Sequence, residues 1–373
     1  MGLHAASLPD FPWDSLAPYH ERARQHPDGV VDMSVGTPVD PTPHVVQEAL
    51  RAASDAPGYP TTYGTPALRE AVAAWFSRRR GVSGLDPAHV LPTVGSKELV
   101  ALLPSLLGLG EGDTVVFPTV AYPTYDVGAR LAGARSLAAD AVEAWADDPS
   151  VRLVWVNSPS NPTGRVLDAD ALAAVVRAAR RIGAVVASDE CYAELAWEEP
   201  FVSAGVPSIL DPRVADGGHE GLLAVYSLSK QSNLAGYRAA FVAGDGSLIA
   251  ALLEARKHMG MIVPGPVQAA MRVALGDDAH VAAQREAYGR RRAVLREALA
   301  EAAFRIDGSE AGLYLWVSRD EDCWVTLSWL AERGIVAAPG AFYGPAGERH
   351  VRMALTVSDS AAEQAARRLV NRR

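Results

Sequence analysis

Between about residues 90 and 260, short continuous apolar runs alternate with amphipathic helical patterns, and this alternation constrains the chain more than any other feature. Residues 113–117, 151–156, 184–188 and 221–226 read as strands, and 96–107, 122–132 and 168–181 as helices between them. A strand that is apolar along its whole length must be covered on both faces, and a helical crossover between parallel strands provides that cover. The pattern predicts an α/β domain built on a mostly parallel sheet flanked by helices.

At Pro264-Gly265-Pro266 the character changes. One long helical stretch over about 266–301 is followed by short strands at 313–317 and 351–355 and by a closing helix. Residues 1–45 are Pro-rich and irregular, whereas 43–53 and 65–76 are helical in pattern. The expected organisation is an N-terminal arm (1–45) joining a smaller α+β domain (265–373), with a large ligand-binding domain at 46–264; 373 residues suit roughly two domains.

Charge and motif content exclude several functions. A formal net charge of −9 argues against a general nucleic-acid binder, and Arg78-Arg79-Arg80 and Arg290-Arg291-Arg292 fall in helical patterns where a solvated face explains them. Cys191 and Cys323 have neither metal-ligand nor disulfide spacing, which fits a reducing cytoplasm. No leader and no 18-residue apolar span is evident, so a cytoplasmic protein without membrane contact is expected. The nine histidines are scattered, and neither a His-Glu-x-x-His nor a Gly-x-x-x-x-Gly-Lys-Ser/Thr motif occurs. Metal catalysis is therefore not expected. Gly108-Leu109-Gly110-Glu111-Gly112 lacks the dinucleotide-binding spacing and precedes a strand.

The chemistry gathers around Lys230, in Ser227-Leu228-Ser229-Lys230, which follows the apolar run 221–226 and precedes Arg238 by eight residues. The lysine can form a Schiff base, the hydroxyls can bond phosphate oxygens and the arginine can clamp them, which suits a phosphorylated aldehyde cofactor. Asp189 ends another strand and could pair with a protonated ring nitrogen, or serve as a loop cap. Asn161, in Asn157-Ser158-Pro159-Ser160-Asn161-Pro162-Thr163-Gly164, sits in a rigid loop that could hold its amide against a ring oxygen. Gly95-Ser96-Lys97 opens a helix and forms an anion site or a plain cap. Tyr122 could stack on a flat ring or pack in the core. Arg352 lies inside an apolar strand, so its guanidinium needs an anion, from a substrate or from the protein.

Taken in order, Asn161-Pro162-Thr163-Gly164, Asp189-x-x-Tyr192, Ser227-x-Ser229-Lys230, Gly236-x-Arg238 and Arg352 resemble the fold-type I, class I/II pyridoxal-phosphate aminotransferases along nearly the whole chain. The resemblance implies that Lys230 carries the Schiff base to pyridoxal 5'-phosphate and shuttles a proton. It implies that Asp189 pairs with the ring nitrogen and that Asn161 and Tyr192 bond the ring hydroxyl. Gly95, Ser96, the Lys97 backbone, Ser227, Ser229 and Arg238 would hold the phosphate, and Tyr122 would stack on the ring. Arg352 would bind the substrate carboxylate, with backbone help from Gly36. Tyr59, placed before the Gly64–Arg69 motif and rivalled by Tyr63, would reach a partner's phosphate, implying a homodimer with shared active sites.

Leu8-Pro9-Asp10-Phe11-Pro12-Trp13, Ser34-Val35-Gly36-Thr37-Pro38 and Arg256-Lys257-His258 are similar to actinobacterial N-succinyldiaminopimelate aminotransferases of lysine biosynthesis. That resemblance implies glutamate as donor and a keto substrate with a second carboxylate, for which Arg256 or Lys257 is a candidate if neither is merely a surface charge. An aspartate- or alanine-type aminotransferase is the alternative within the class. A pyridoxal-phosphate C–S lyase or decarboxylase, or a silent regulatory domain, is the alternative outside it.

Overall fold

The apolar runs are buried because each pairs on both sides. The computed structural model describes residues 8–371, so the first seven residues of the expected arm lie outside it. Along the chain, β1 (Val31–Asp32) belongs to the arm. β2 (Val90–Val94), β3 (Thr114–Phe117), β4 (Arg135–Ala138), β5 (Val151–Asn157), β6 (Val185–Asp189), β7 (Leu222–Ser227) and β8 (Ala239–Gly244) form the large sheet. Their spatial order is β2-β8-β7-β6-β5-β3-β4. The strands from β7 to β4 run parallel; β8 is antiparallel to both its neighbours.

Alternation along each strand sends side chains to two cores. Val154, Val156, Val186, Ala224 and Tyr226 pack with the helices Pro66–Arg80, Ala169–Ile182 and Gly265–Gly276. Leu153, Trp155, Ala187, Leu223 and Val225 pack with Ser96–Leu106, Thr124–Ala132 and Gly246–Met259 on the other face. Local chemistry punctuates these helices. The Thr65 side chain accepts from Leu68 N at the start of Pro66–Arg80, and Gly81 ends it at φ 66°.

The smaller body contains β9 (Arg305–Asp307), β10 (Tyr314–Ser318), β11 (Ile335–Val336), β12 (Ala338–Pro339) and β13 (Val351–Ala354). Four of these form an antiparallel sheet in the order β12-β13-β10-β9, and β1 pairs in parallel with β11. Arm residues Leu16, Val31 and Met33 share a core with Leu295, Leu315, Val351 and Leu369. No helix among the described residues is long and apolar enough to cross a membrane.

Two expectations change. The single helix over 266–301 is two, Gly265–Gly276 and Asp278–Glu301, because the Asp277 side chain caps Ala279 N. Val267, Ala270, Met271 and Leu275 of the first pack into the larger core. The basic triplets are not merely solvated faces. Arg80 is buried against Glu190 at 3.0 Å. Arg291 bonds Asp40 at 2.6 and 2.8 Å and Asp359 at 2.5 Å.

That arginine ties the arm to the helix Asp278–Glu301, and Arg291→Ala is expected to cost about 3 kcal/mol by stranding Asp40, read as a lower urea midpoint. Burial pushes the Asp40 carboxyl up, yet its bonds to Arg291 and Gln284 leave it below the ordinary range. This stabilisation is fully present above the ordinary carboxylate range and is lost as pH falls through the lowered value. The gap between wild type and variant should therefore close in acid.

Candidate active site

Three neighbouring parallel strands end in polar residues: β5 in Asn157, β6 in Asp189 and β7 in Ser227, with Asn157 directly opposite Asp189. Carboxyl ends of parallel strands are where open sheets place their ligands. Lys230 follows β7, and its Nζ donates to the carbonyl of Gly36, which the arm brings in. A side chain at Gly36 would put its Cβ 2.2 Å from the Tyr314 hydroxyl, so glycine is needed there. Burial lowers the Lys230 pKa, and Arg352 and Arg238 push in the same direction.

Asp189 is 7% exposed. It accepts from Tyr125 Oη at 3.0 Å and from Cys191 N at 3.2 Å. Burial raises its pKa against the effect of these bonds. Tyr125 is itself fixed by stacking on Trp155, with ring centroids 5.0 Å apart. The Asn157 amide donates to the Asp189 carbonyl at 3.0 Å, and its oxygen accepts from Asn161 N at 2.7 Å. One side chain thereby sets both the strand end and the loop carrying Asn161.

Arg352 on β13 is 3% exposed. It donates to Asn161 Oδ1 at 2.9 Å and to the Ser34 carbonyl at 2.6 Å, and lies 3.9 Å from the centre of the Tyr314 ring. Both hydrogen-bond partners are neutral oxygens, and its buried Nε has no partner among the described residues. A buried guanidinium with no counter-ion is ready for an anion from outside.

The helix Ser96–Leu106 starts at Gly95, whose φ is 75°. A Cβ at Gly95 would lie 2.1 Å from an Arg238 guanidinium nitrogen, and the Arg238 carbonyl accepts from Gly95 N at 2.7 Å. Arg238 has φ 55°, a left-handed conformation that non-glycine residues seldom adopt and that surrounding structure must enforce. Ser227 Oγ donates to Ser229 Oγ at 2.8 Å, and Cys191 Sγ is 3.6 Å from Ser96 Oγ. Glu98 steadies this helix start by accepting from Val94 N and from Arg256. Arg256 is fully buried in that pair and Lys257 pairs with Glu254, so neither faces the site as a second carboxylate contact.

Tyr122 lies edge-on to Tyr125, and burial pushes its phenol up to about 12. Lys97 Nζ sits 5.9 Å from the centre of the Tyr122 ring and 5.7 Å from that of Phe11. Tyr192 Oη is 3.2 Å from Tyr314 Oη. Tyr59 stands apart at 99% exposed, whereas Tyr63 is tied to Ala88 O at 2.7 Å and lies under the Arg69 guanidinium.

Apart from Tyr59, these contacts link the expected residues, and the set fits pyridoxal phosphate. It offers an amine of lowered pKa, a helix start with hydroxyls and a guanidinium for a phosphate, and a buried carboxylate with no cation partner among the described residues. The glycine at position 95 leaves the room that the Arg238 side chain fills. Sequence reasoning missed Tyr125, Asn157, Tyr314 and Ser34. Asn157 carried a signal, as the polar residue ending an apolar run beside that of Asp189; Tyr125 follows Tyr122 by one helical turn.

The family model for class I and II aminotransferases matches residues 28–369. The chain is 57% identical to the 4-dedimethylamino-4-oxo-anhydrotetracycline transaminase OxyQ of Streptomyces rimosus, over 97% of this chain and 99% of that protein. It is 58% identical to a probable aminotransferase of Mycobacterium tuberculosis, over 98% of this chain and 86% of that one. Its fold resembles the solved structure of a probable N-succinyldiaminopimelate aminotransferase from Thermus thermophilus. There the TM-score is 0.85 and the identity 28%, over 96% of this chain and 99% of that one.

Proposed function

Because the chain belongs to the class I and II aminotransferases, a pyridoxal-phosphate-dependent family, we propose that it moves an amino group between an amino acid and a 2-oxo acid in the cleft around Lys230. Arg352 carries this reading: a buried guanidinium bonded only to neutral oxygens is matched by a substrate α-carboxylate. Bound in the cleft, pyridoxal phosphate supplies an aldehyde carbon for the amino group and a ring that accepts the electron pair left when the substrate loses a proton.

The chain's own groups do the rest. Lys230, with its pKa lowered, holds the cofactor and, once released, takes the proton from the substrate α-carbon as a neutral amine. Asp189 keeps a proton on the ring nitrogen by supplying the opposite charge. Gly95, Ser96, the backbone of Lys97, Ser227, Ser229 and Arg238 hold the phosphate, and Tyr122 lies against the ring. Asn161 and Tyr192 orient the ring hydroxyl, while Gly36 and Arg352 orient the carboxylate. Tyr59, 99% exposed and without a side-chain partner among the described residues, reaches the phosphate of a second copy in a homodimer.

For the substrate, we favour the diaminopimelate series, with glutamate as donor and N-succinyl-2-amino-6-oxopimelate as acceptor. The N-terminal motifs and the Thermus thermophilus structure support it. The identity to OxyQ supports a second reading, amination of a ketone on a fused-ring substrate. An acceptor panel with glutamate separates the two. The first requires kcat/KM for the succinylated keto acid to exceed those for pyruvate and oxaloacetate. A preference for a ring ketone favours the second, and release of pyruvate or carbon dioxide in place of amino transfer overturns both.

Lys97 is the remaining cation beside Tyr122, and burial, helped by Arg238, lowers its pKa. If it meets the acceptor's second carboxylate, Lys97→Met should raise KM for that acceptor about tenfold and leave KM for pyruvate unchanged.

A further inference from the structure

Tyr314 touches three groups of the site. It is 5% exposed on β10. Its ring supports the Arg352 guanidinium, and its hydroxyl abuts Gly36 and lies 3.2 Å from Tyr192 Oη. Phenylalanine would support a guanidinium equally well, so the hydroxyl calls for its own explanation. Each phenol has one proton to donate, and the direction of the bond between them decides whose proton is spent.

The groups facing the pair set that direction. The Arg352 guanidinium from β13 lies 3.9 Å from the centre of the Tyr314 ring, and Lys230 from the loop after β7 also acts on Tyr314; Asp189 at the end of β6 acts on both phenols, and Cys191 beyond it on Tyr192. Tyr122 and Tyr343 add neutral phenols near Tyr314. Burial and the Asp189 carboxylate oppose ionisation of both, but the two cations placed against Tyr314 leave it the more acidic phenol. The more acidic phenol is the donor.

We propose that Tyr314 is a positioning residue that donates to Tyr192 and so turns the Tyr192 proton outward onto the cofactor's ring oxygen. Three oxygens then form one directed chain, each bond strengthening the next. The inference rests on the reading of Tyr192 as a partner of the ring hydroxyl. Its consequence is spectroscopic: donation to the ring oxygen stabilises that oxygen as an anion, which lowers the pH at which the lysine–cofactor linkage loses its proton.

The test is a visible-absorbance pH titration of the cofactor-loaded protein. Tyr314→Phe keeps the ring under Arg352, so KM for the amino donor should hold. The midpoint should rise by roughly half a unit as the chain is shortened. Tyr192→Phe should raise it further, and Tyr314→Phe should add nothing in that background. An unmoved midpoint in Tyr314→Phe, or the same rise with Tyr192 already removed, overturns this inference alone. A wild type with no lysine-dependent band overturns the cofactor reading and this inference together.

Discussion

Lys230→Ala is expected to lower turnover by a factor on the order of 10⁴ or more and to remove the absorbance of the covalent cofactor linkage. The reason is the scarcity of substitutes. The lysines of this chain are Lys97, Lys230 and Lys257. Lys257 is held by Glu254 on the helix Gly246–Met259, and Lys97 sits beside the Phe11 and Tyr122 rings at the start of another helix. Arginine does not deprotonate at working pH and cannot form the linkage or take the α-proton. The variant should still bind the cofactor non-covalently, because the phosphate cradle is untouched. Turnover at the wild-type rate would end the assignment of Lys230.

Asp189→Asn should cost about 10³-fold in kcat/KM, the scale for losing one preorganised charge in a water-excluded site. Asparagine preserves size, its oxygen can still accept from Cys191 N and its amide can donate to the Tyr125 hydroxyl oxygen, so the fold is expected to persist. The cofactor-free protein offers an independent check with a definite sign. Burial raises the folded-state pKa of Asp189. The folded chain therefore holds a proton that the unfolded chain has released, and stability falls as pH rises from the ordinary carboxylate range through the raised value. The Asn variant lacks that proton, so it should lose this slope and melt higher than wild type at neutral pH when both lack cofactor. Activity within threefold of wild type would remove Asp189 from the chemistry.

The four central strands β3, β5, β6 and β7 were legible because they are largely apolar runs between helices, whereas β2, β4 and β8 were not, β4 being a half-exposed edge strand that opens on Arg135 and Ser136. The site was legible where it interrupts those runs: Asp189, Ser227 and Lys230 are polar groups at strand ends. The residues that orient them were not. Tyr125 looks like any buried aromatic until the Asp189 carboxylate is placed above it, and Tyr314 arrives from a different body of the protein. Buried charge was the weakest point. Arg256 and Arg291 read as helix-surface cations because their partners, Glu98 and Asp40, lie 158 and 251 residues away in sequence. The break at Asp277 did have a local signal, a glycine followed by a capping aspartate, hidden inside an otherwise helical pattern.

The four cations Lys97, Lys230, Arg238 and Arg352 have no carboxylate partner among the described residues, in a chain of net charge −9. Ligands of this site are anions, so at long range the protein repels what it must capture, and attraction takes over only near the cleft. The Debye length at physiological ionic strength is about 8 Å, short enough to mute the outer repulsion while leaving the cations of the cleft to act on an arriving phosphate or carboxylate. Moderate salt should thus ease the approach of cofactor and substrate, the reverse of what four cations considered alone would suggest.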